Sequence, residues 1–158
     1  MSRIISERMT AQIEGDFVVF LIGLRVNKPW KIHKWWPAAM AMPKMLKELQ
    51  AQPELGLLGH VSGTKLSVQY WRSFDLLEAY AKNKDAAHLP AWKAFNQSIG
   101  RSQGDVGIWH ETFLVRAGEY ECIYSGMPPF GLGAATTLVS AVGTKDSARS
   151  RILSTLAD

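Results

Sequence analysis

Residues Phe17–Val26 read FVVFLIGLRV, a run in which both alternating sets of side chains are apolar. One set comprises Phe17, Val19 and Leu21, and the other comprises Val18, Phe20, Ile22 and Leu24. Side chains of a strand alternate between two faces, so this run predicts a strand that is buried on both faces. Such a strand needs a cover on each side.

Helices and strands are expected on the C-terminal side of this run. Apolar positions at helical spacing predict a helix over residues 37–52, with Pro43 expected either to kink it or to make it restart. Residues 57–61 and Leu66–Trp71 have the composition of two strands joined by a glycine-containing hairpin loop. Ser73 is placed to cap a helix that follows it.

The remaining elements complete a recognisable order. A helical piece is expected around residues 88–99, then a strand at Val106–Val115 and a short fifth strand over residues 120–124. The order β-α-β-β-α-β is that of a ferredoxin-like α+β sheet. Since helices cover only one face of such a sheet, a second copy of the chain is expected on the other face, as a homodimer.

Three regions are expected along the chain. Residues 1–14 form an N-terminal extension, residues 15–126 form the ferredoxin-like α+β domain, and residues 127–158 form a C-terminal arm or tail. The tail is separated from the domain because its periodicity is weak and its large apolar residues are few.

Composition excludes several classes of function. The chain has 158 residues, 47% of them hydrophobic, and its net charge of +4 comes from basic residues that are scattered, so no nucleic-acid partner is expected. The single cysteine, Cys122, rules out an internal disulfide and a cysteine-rich zinc site, and a cytoplasmic location is expected. No apolar run reaches transmembrane length, so no membrane partner is expected either.

Four stretches of the chain resemble the dimeric α+β barrel superfamily, and in particular its branch related to the antibiotic-biosynthesis monooxygenases. They are GLLG at 56–59, VQYWRS at 68–73, HLPAWKAF at 88–95 and GIWHET at 107–112. Within that branch the chain is similar to the family of a fungal polyketide-pathway monooxygenase. The resemblance implies a dimeric barrel that oxygenates a small hydrophobic, aromatic or polyketide-like substrate with O2.

Two histidines and a glutamate are the candidate catalytic residues. His88 shares a helical stripe with large aromatic residues and is expected to act as a base, because imidazole takes up protons near neutral pH. His110 and Glu111 are neighbours on a strand, so they point to opposite faces and only one of them can line a given wall. His33 and His60 are weaker candidates.

Aromatic residues are expected to wall the pocket. The substrate-binding candidates are Trp36, Tyr70, Trp71, Tyr80, Trp92 and Phe95. We favour a cofactor-independent enzyme without a metal. Two alternatives stay open: a haem enzyme of the same superfamily, resembling aldoxime dehydratases or haem-degrading enzymes, with His88 as axial ligand, and a non-catalytic dimer that binds a small apolar ligand.

Overall fold

The computed structural model describes residues 3–63, 65–83 and 104–155, which form two antiparallel sheets and the helices packed on them. The elements, in chain order, are β1 (Ile5–Gln12), β2 (Phe17–Val26), α1 (Ile32–Ala51), β3 (Leu57–Ser62), β4 (Leu66–Trp71), α2 (Phe74–Lys82), β5 (Val106–Val115), β6 (Tyr124–Met127), α3 (Leu132–Ala135), β7 (Thr137–Ser140) and α4 (Ala148–Thr155). Short 3₁₀ turns occupy Pro53–Leu55 and Gly143–Lys145.

The first sheet has the strand order β3-β4-β2-β5, with every neighbouring pair antiparallel. Together with α1 and α2 this is the ferredoxin-like arrangement, so the α+β fold predicted from the sequence is confirmed. Strand β2 is central and pairs with β4 on one side and with β5 on the other. The apolar run that predicted a two-faced strand therefore lies in the middle of the sheet.

Helices α1 and α2 cover one face of this sheet. Leu46 and Leu49 of α1 pack with Trp71 of β4 in a core that also includes Val18 of β2. The Ser73 hydroxyl accepts a hydrogen bond from the backbone N–H of Leu76 at 3.2 Å, which confirms the expected helix cap. Within the described ranges no helix is both long enough and apolar enough to cross a membrane.

The limits of α1 differ from the expectation. The helix begins at Ile32 rather than at residue 37, and it runs without interruption through Pro37 and Pro43. It does not restart at Pro43. The earlier start follows from two ion pairs. Lys31 and Lys34 both bind one carboxylate that lies outside the helix, and these contacts hold the first turn of α1 in place.

That carboxylate belongs to Asp105, which is fully buried at the start of β5. The ammonium groups of Lys28, Lys31 and Lys34 lie 2.6, 2.6 and 2.9 Å from its two oxygens. The backbone N–H of Asn27 also donates to the Asp105 carbonyl oxygen at 3.0 Å. The three lysines hold the pKa of Asp105 well below its usual range. The loop between β2 and α1 is thereby fixed to β5.

A second sheet, with the order β6-β1-β7, is formed by segments from both ends of the chain. The sequence patterns did not predict it. The short strand expected over residues 120–124 is wrong in its limits, because the strand spans Tyr124–Met127; it pairs with β1. Residues 5–12 and 137–140 are likewise paired strands of this sheet.

The second sheet and α3 cover one end of the face that the helices leave open. Phe17 of β2 packs there with Ala11, Ile13 and Leu132, and its ring meets that of Tyr120 edge-to-face at 5.3 Å. The two sheets thus share an apolar cluster that is separate from the core beneath the helices.

Replacing Phe17 should destabilise the apolar cluster between the two sheets. We expect Phe17→Ala to lower the free energy of unfolding by about 3–5 kcal/mol, because a buried aromatic ring leaves a cavity when it is removed. Phe130→Ala, at a half-exposed ring, is the matched control and should change stability by less than about 0.5 kcal/mol. Urea titration of the three proteins provides the measurement, and equal effects of the two substitutions would contradict the assignment.

Candidate functional site

A cleft of about 350 Å³ lies between α1 and the helix-covered face of the first sheet, near the turn that joins β3 to β4. Its aliphatic walls are contributed by Ile22, Leu24, Met42, Leu46 and Ile108. The polar side chains that reach it include His60, Ser62 and Ser67. A mostly apolar cleft with a few polar groups is typical of a small-molecule site.

His60 reaches the cleft because β3 is irregular. The pairing register between β3 and β4 shifts between Leu57 and Gly59. Leu57 packs in the core beneath the helices, whereas Leu58 packs against the second sheet. Strict alternation would place His60 on the same side as Leu58, but the extra residue turns it toward α1. Gly59 is needed at the bulge because a Cβ there would lie 2.6 Å from the Cβ of Ala135 in α3.

The imidazole of His60 is the least satisfied polar group of the cleft. Its Nδ1 is enclosed, and no other group in the described ranges forms a hydrogen bond with it. Burial lowers the pKa of His60, so the ring is neutral near pH 7. A buried nitrogen without a partner costs free energy, and such atoms are frequent where a ligand supplies the missing contact.

Polar side chains on β3 and β4 are held in place beside His60. The hydroxyl groups of Ser62 and Ser67 are 3.2 Å apart. The indole N–H of Trp71 donates to Gln69 Oε1 at 2.9 Å, and Gln69 Nε2 lies 3.6 Å from Met42 Sδ in α1. These contacts fix the floor of the cleft against the helix.

His110 and Glu111 point to opposite faces of the sheet. His110 pairs with Ile22, a residue of the cleft wall, and its ring centre lies 5.5 Å from that of Phe20. Glu111 pairs with Leu21 on the face that the helices leave open, and both ionisable residues are exposed. His110 is therefore on the side of the cleft, and Glu111 is not.

The structure does not bring the four described aromatic candidates together in one wall. Trp71 is 1% exposed and packs against Tyr80, whose hydroxyl donates to Glu48 Oε2 at 2.9 Å. Tyr70 lies on the opposite face, in the cluster with Leu132, because it is the strand neighbour of Trp71. Trp36 is exposed on α1. The cleft around His60 is aliphatic instead.

Three of the predicted site residues, His88, Trp92 and Phe95, lie outside the described residues, and their roles stay predictions. Within residues 3–63, 65–83 and 104–155, no three His, Cys, Asp or Glu side chains are close enough together to hold a metal ion.

The antiparallel sheet with helices on one face, and a mostly apolar cleft between the two layers, define a ferredoxin-like α+β protein. Within that class the chain belongs to the Monooxygenase af470-like family, whose model matches residues 17–132. The matched residues include β2, the bulged strand β3 and β5.

Two individual proteins are similar to the chain. Monooxygenase af470 of Aspergillus fumigatus is 28% identical over 89% of this chain, which spans 58% of the length of that relative. A crystal structure of a Bacteroides thetaiotaomicron protein of unknown function, described as a possible oxidoreductase, aligns with a TM-score of 0.38 and 20% identity. That alignment covers 63% of this chain and 97% of the other.

The burial of His60 predicts its titration. Its NMR midpoint should lie below the ordinary histidine value of about 6.5 in the folded protein and return to that value in urea. Since the folded pKa is the lower one, the unfolded state takes up the proton first as pH falls, and stability should decline below about pH 6.5. In His60→Gln this component of the decline should vanish. A folded midpoint at or above the urea value would refute the burial.

Proposed function

We propose that this chain is a monooxygenase-like oxidoreductase that binds a small hydrophobic, aromatic or polyketide-like molecule in the cleft beside α1. The observation that carries the proposal is the enclosed, unpaired Nδ1 of His60 within aliphatic walls. Membership of a family named for a monooxygenase supports the reaction class. The aliphatic lining favours an apolar substrate, because each buried methylene contributes about 0.8 kcal/mol.

In the reaction we propose, a neutral histidine starts the chemistry. His60 removes a proton from a phenol or enol of the substrate, and the resulting anion passes one electron to O2. The two radicals combine into a peroxide anion at a substrate carbon that carries a hydrogen, and the protonated His60 returns its proton to give a hydroperoxide. The O–O bond then breaks as that carbon loses its hydrogen, so water leaves and one oxygen atom stays on the substrate as a carbonyl. The two electrons that reduce the second oxygen atom to water come from the substrate, and O2 is the oxidant. The aliphatic walls keep bulk water away from the anion.

Other residues have at most supporting roles in this proposal. His110 lies on the same side of the sheet as the cleft but on the opposite edge strand, so we assign it no proton transfer with His60. His88, the base expected from the sequence, remains a second candidate, with Trp92 and Phe95 as aromatic contacts. We propose that the reaction needs no cofactor. An absorption spectrum of the purified protein tests the haem alternative, since haem would give an intense Soret band.

Removing the imidazole should abolish most of the turnover. We expect His60→Ala to reduce O2 consumption with a panel of hydroquinones and hydroxylated aromatic ketones by about a hundredfold or more, as for other general bases. His33→Ala removes an exposed histidine at the start of α1 and is the control. An oxygen electrode and product mass spectrometry provide the measurement, and His88→Ala is assayed in parallel.

The outcomes separate the alternatives. Loss of turnover in His88→Ala but not in His60→Ala would move the base to His88 and refute the role of His60. Tight binding of these ligands without O2 consumption by the unsubstituted protein would favour the non-catalytic binding protein.

We further propose that a second copy covers the rest of the open sheet face. Trp109 and Phe113 of β5 are 41% and 50% exposed on that face, beyond the part that the second sheet covers. The indole of Trp109 covers Gly23, where a Cβ would lie 2.5 Å from the indole Nε1. An apolar patch of this kind on a sheet is suited to symmetric pairing.

Sedimentation equilibrium tests this pairing. The chain should sediment as a dimer, and Phe113→Glu should shift it toward the monomer, because a carboxylate would be buried in the interface without a partner. Phe74→Glu, at a comparably exposed ring of α2 on the other side of the sheet, should leave the dimer intact. A monomeric unsubstituted chain would rule the dimer out.

A further inference from the structure

The N-terminal half of α1 displays an apolar surface to solvent. It consists of Trp30, just before the helix, and of Ile32, Trp36 and Met40. We call it the interfacial surface. The two tryptophans are 72% and 54% exposed, although tryptophan is a residue that folded chains normally bury for the most part. The members in the helix recur every four residues and therefore follow one side of α1.

This surface is rigidly presented. The indole N–H of Trp35 donates to the carbonyl oxygen of Pro29 at 3.0 Å, which holds the loop around Trp30 against the helix. The rings of Trp35 and Trp36 meet edge-to-face at 5.8 Å. The opposite side of α1 is anchored in the core through Leu46 and Leu49, so the exposed side cannot turn inward.

Positive charge surrounds the interfacial surface. Between Asp16 and Glu48 the sequence contains no acidic residue. The loop before α1 and the helix itself hold the cations Lys28, Lys31, Lys34, Lys44 and Lys47. Asp105 neutralises only one of the three lysines that bind it, which leaves an excess of two positive charges at the start of α1. The surface thus combines exposed apolar groups with a cationic rim.

We propose that the interfacial surface docks on the face of a lipid bilayer that contains anionic headgroups. Tryptophan rings are favoured at headgroup level, and Ile32 and Met40 can enter the boundary of the acyl chains. The lysines of the rim meet lipid phosphates. The proposal departs from the expectation of no membrane partner, which rested on the lack of a segment long enough to span a bilayer and did not consider contact with one leaflet.

Charge also argues against two other occupants. A symmetric dimer across this surface would place the cationic rim of one copy against that of the other, which is repulsive. Single-stranded nucleic acid uses planar side chains on which bases stack, whereas Ile32 and Met40 are flexible aliphatic groups that suit hydrocarbon better. An anionic bilayer matches both the apolar and the charged parts of the surface.

The interfacial surface adjoins the cleft. Ala39 and Pro43 of α1 line the cleft, and each is next to a member of the surface on the helix or one turn away from it. A molecule dissolved in the bilayer could therefore pass around α1 into the cleft. Docking does not depend on the proposed chemistry, because Trp30, Ile32, Trp36 and Met40 do not line the cleft; of the rim residues, only Lys47 also borders it.

Vesicle sedimentation tests the proposal with the full chain. The protein should bind phosphatidylcholine vesicles that contain about one third phosphatidylserine far better than pure phosphatidylcholine vesicles. The double variant Trp30→Ala/Trp36→Ala should bind the anionic vesicles at least tenfold more weakly, about the effect expected when two interfacial rings are lost. Lys44→Gln/Lys47→Gln should weaken that binding about thirtyfold and reduce the preference for anionic lipid.

Matched controls keep the result interpretable. Phe130→Ala removes an exposed ring elsewhere, and Arg149→Gln removes an exposed cation on α4; both should bind vesicles like the unsubstituted protein. All substituted side chains are exposed, so circular dichroism should show unchanged melting. The proposal fails if anionic lipid does not improve binding or if the controls weaken it as much as the tryptophan variant. It also fails if poly(U) RNA binds instead and the same variants abolish that binding.

Discussion

The structure depends on covering both faces of β2. This strand pairs with β4 and β5 through its edges, so neither edge is free, and its two apolar faces must be buried by other layers. Helices α1 and α2 cover one face over Val18 and Phe20. On the other face the second sheet covers only the end near Phe17. The cleft lies where the helices no longer pack closely on β2, and the exposed apolar patch on β5 lies beyond the edge of the second sheet.

A buried charge sets the position of the cleft wall. Without partners, the carboxylate of Asp105 would be costly to bury, since an ionised group loses its hydration there. Three lysines from the loop and first turn of α1 compensate this cost, and the helix is thereby located relative to β5. The cationic start of α1 is thus a structural requirement that also shapes the electrostatics of the protein surface.

Local patterns in the sequence predicted the strands of the first sheet, but they did not predict which side chains line the cleft. The alternation of residues 17–26 predicted β2, and the same rule separated His110 from Glu111. It also implied that Tyr70 and Trp71 face opposite ways, which the expected aromatic wall overlooked. His60 could not be placed by alternation, because the bulge at Gly59 reverses its side and depends on the packing of α3. The four-residue strands β6 and β7 are too short to carry a periodic signal.

The pairing of β1 with β6 and β7 has a consequence for the order in which the protein acquires its structure on the ribosome. Strand β1 is synthesised before the first sheet, whereas its partners β6 and β7 emerge only after that sheet has been made. Pairings between distant segments form slowly, because a long loop must close before any contact compensates for it. Until then β1 is an unpaired segment of the nascent chain. The apolar end of β2 near Phe17 stays exposed, because the second sheet that covers it has not yet formed.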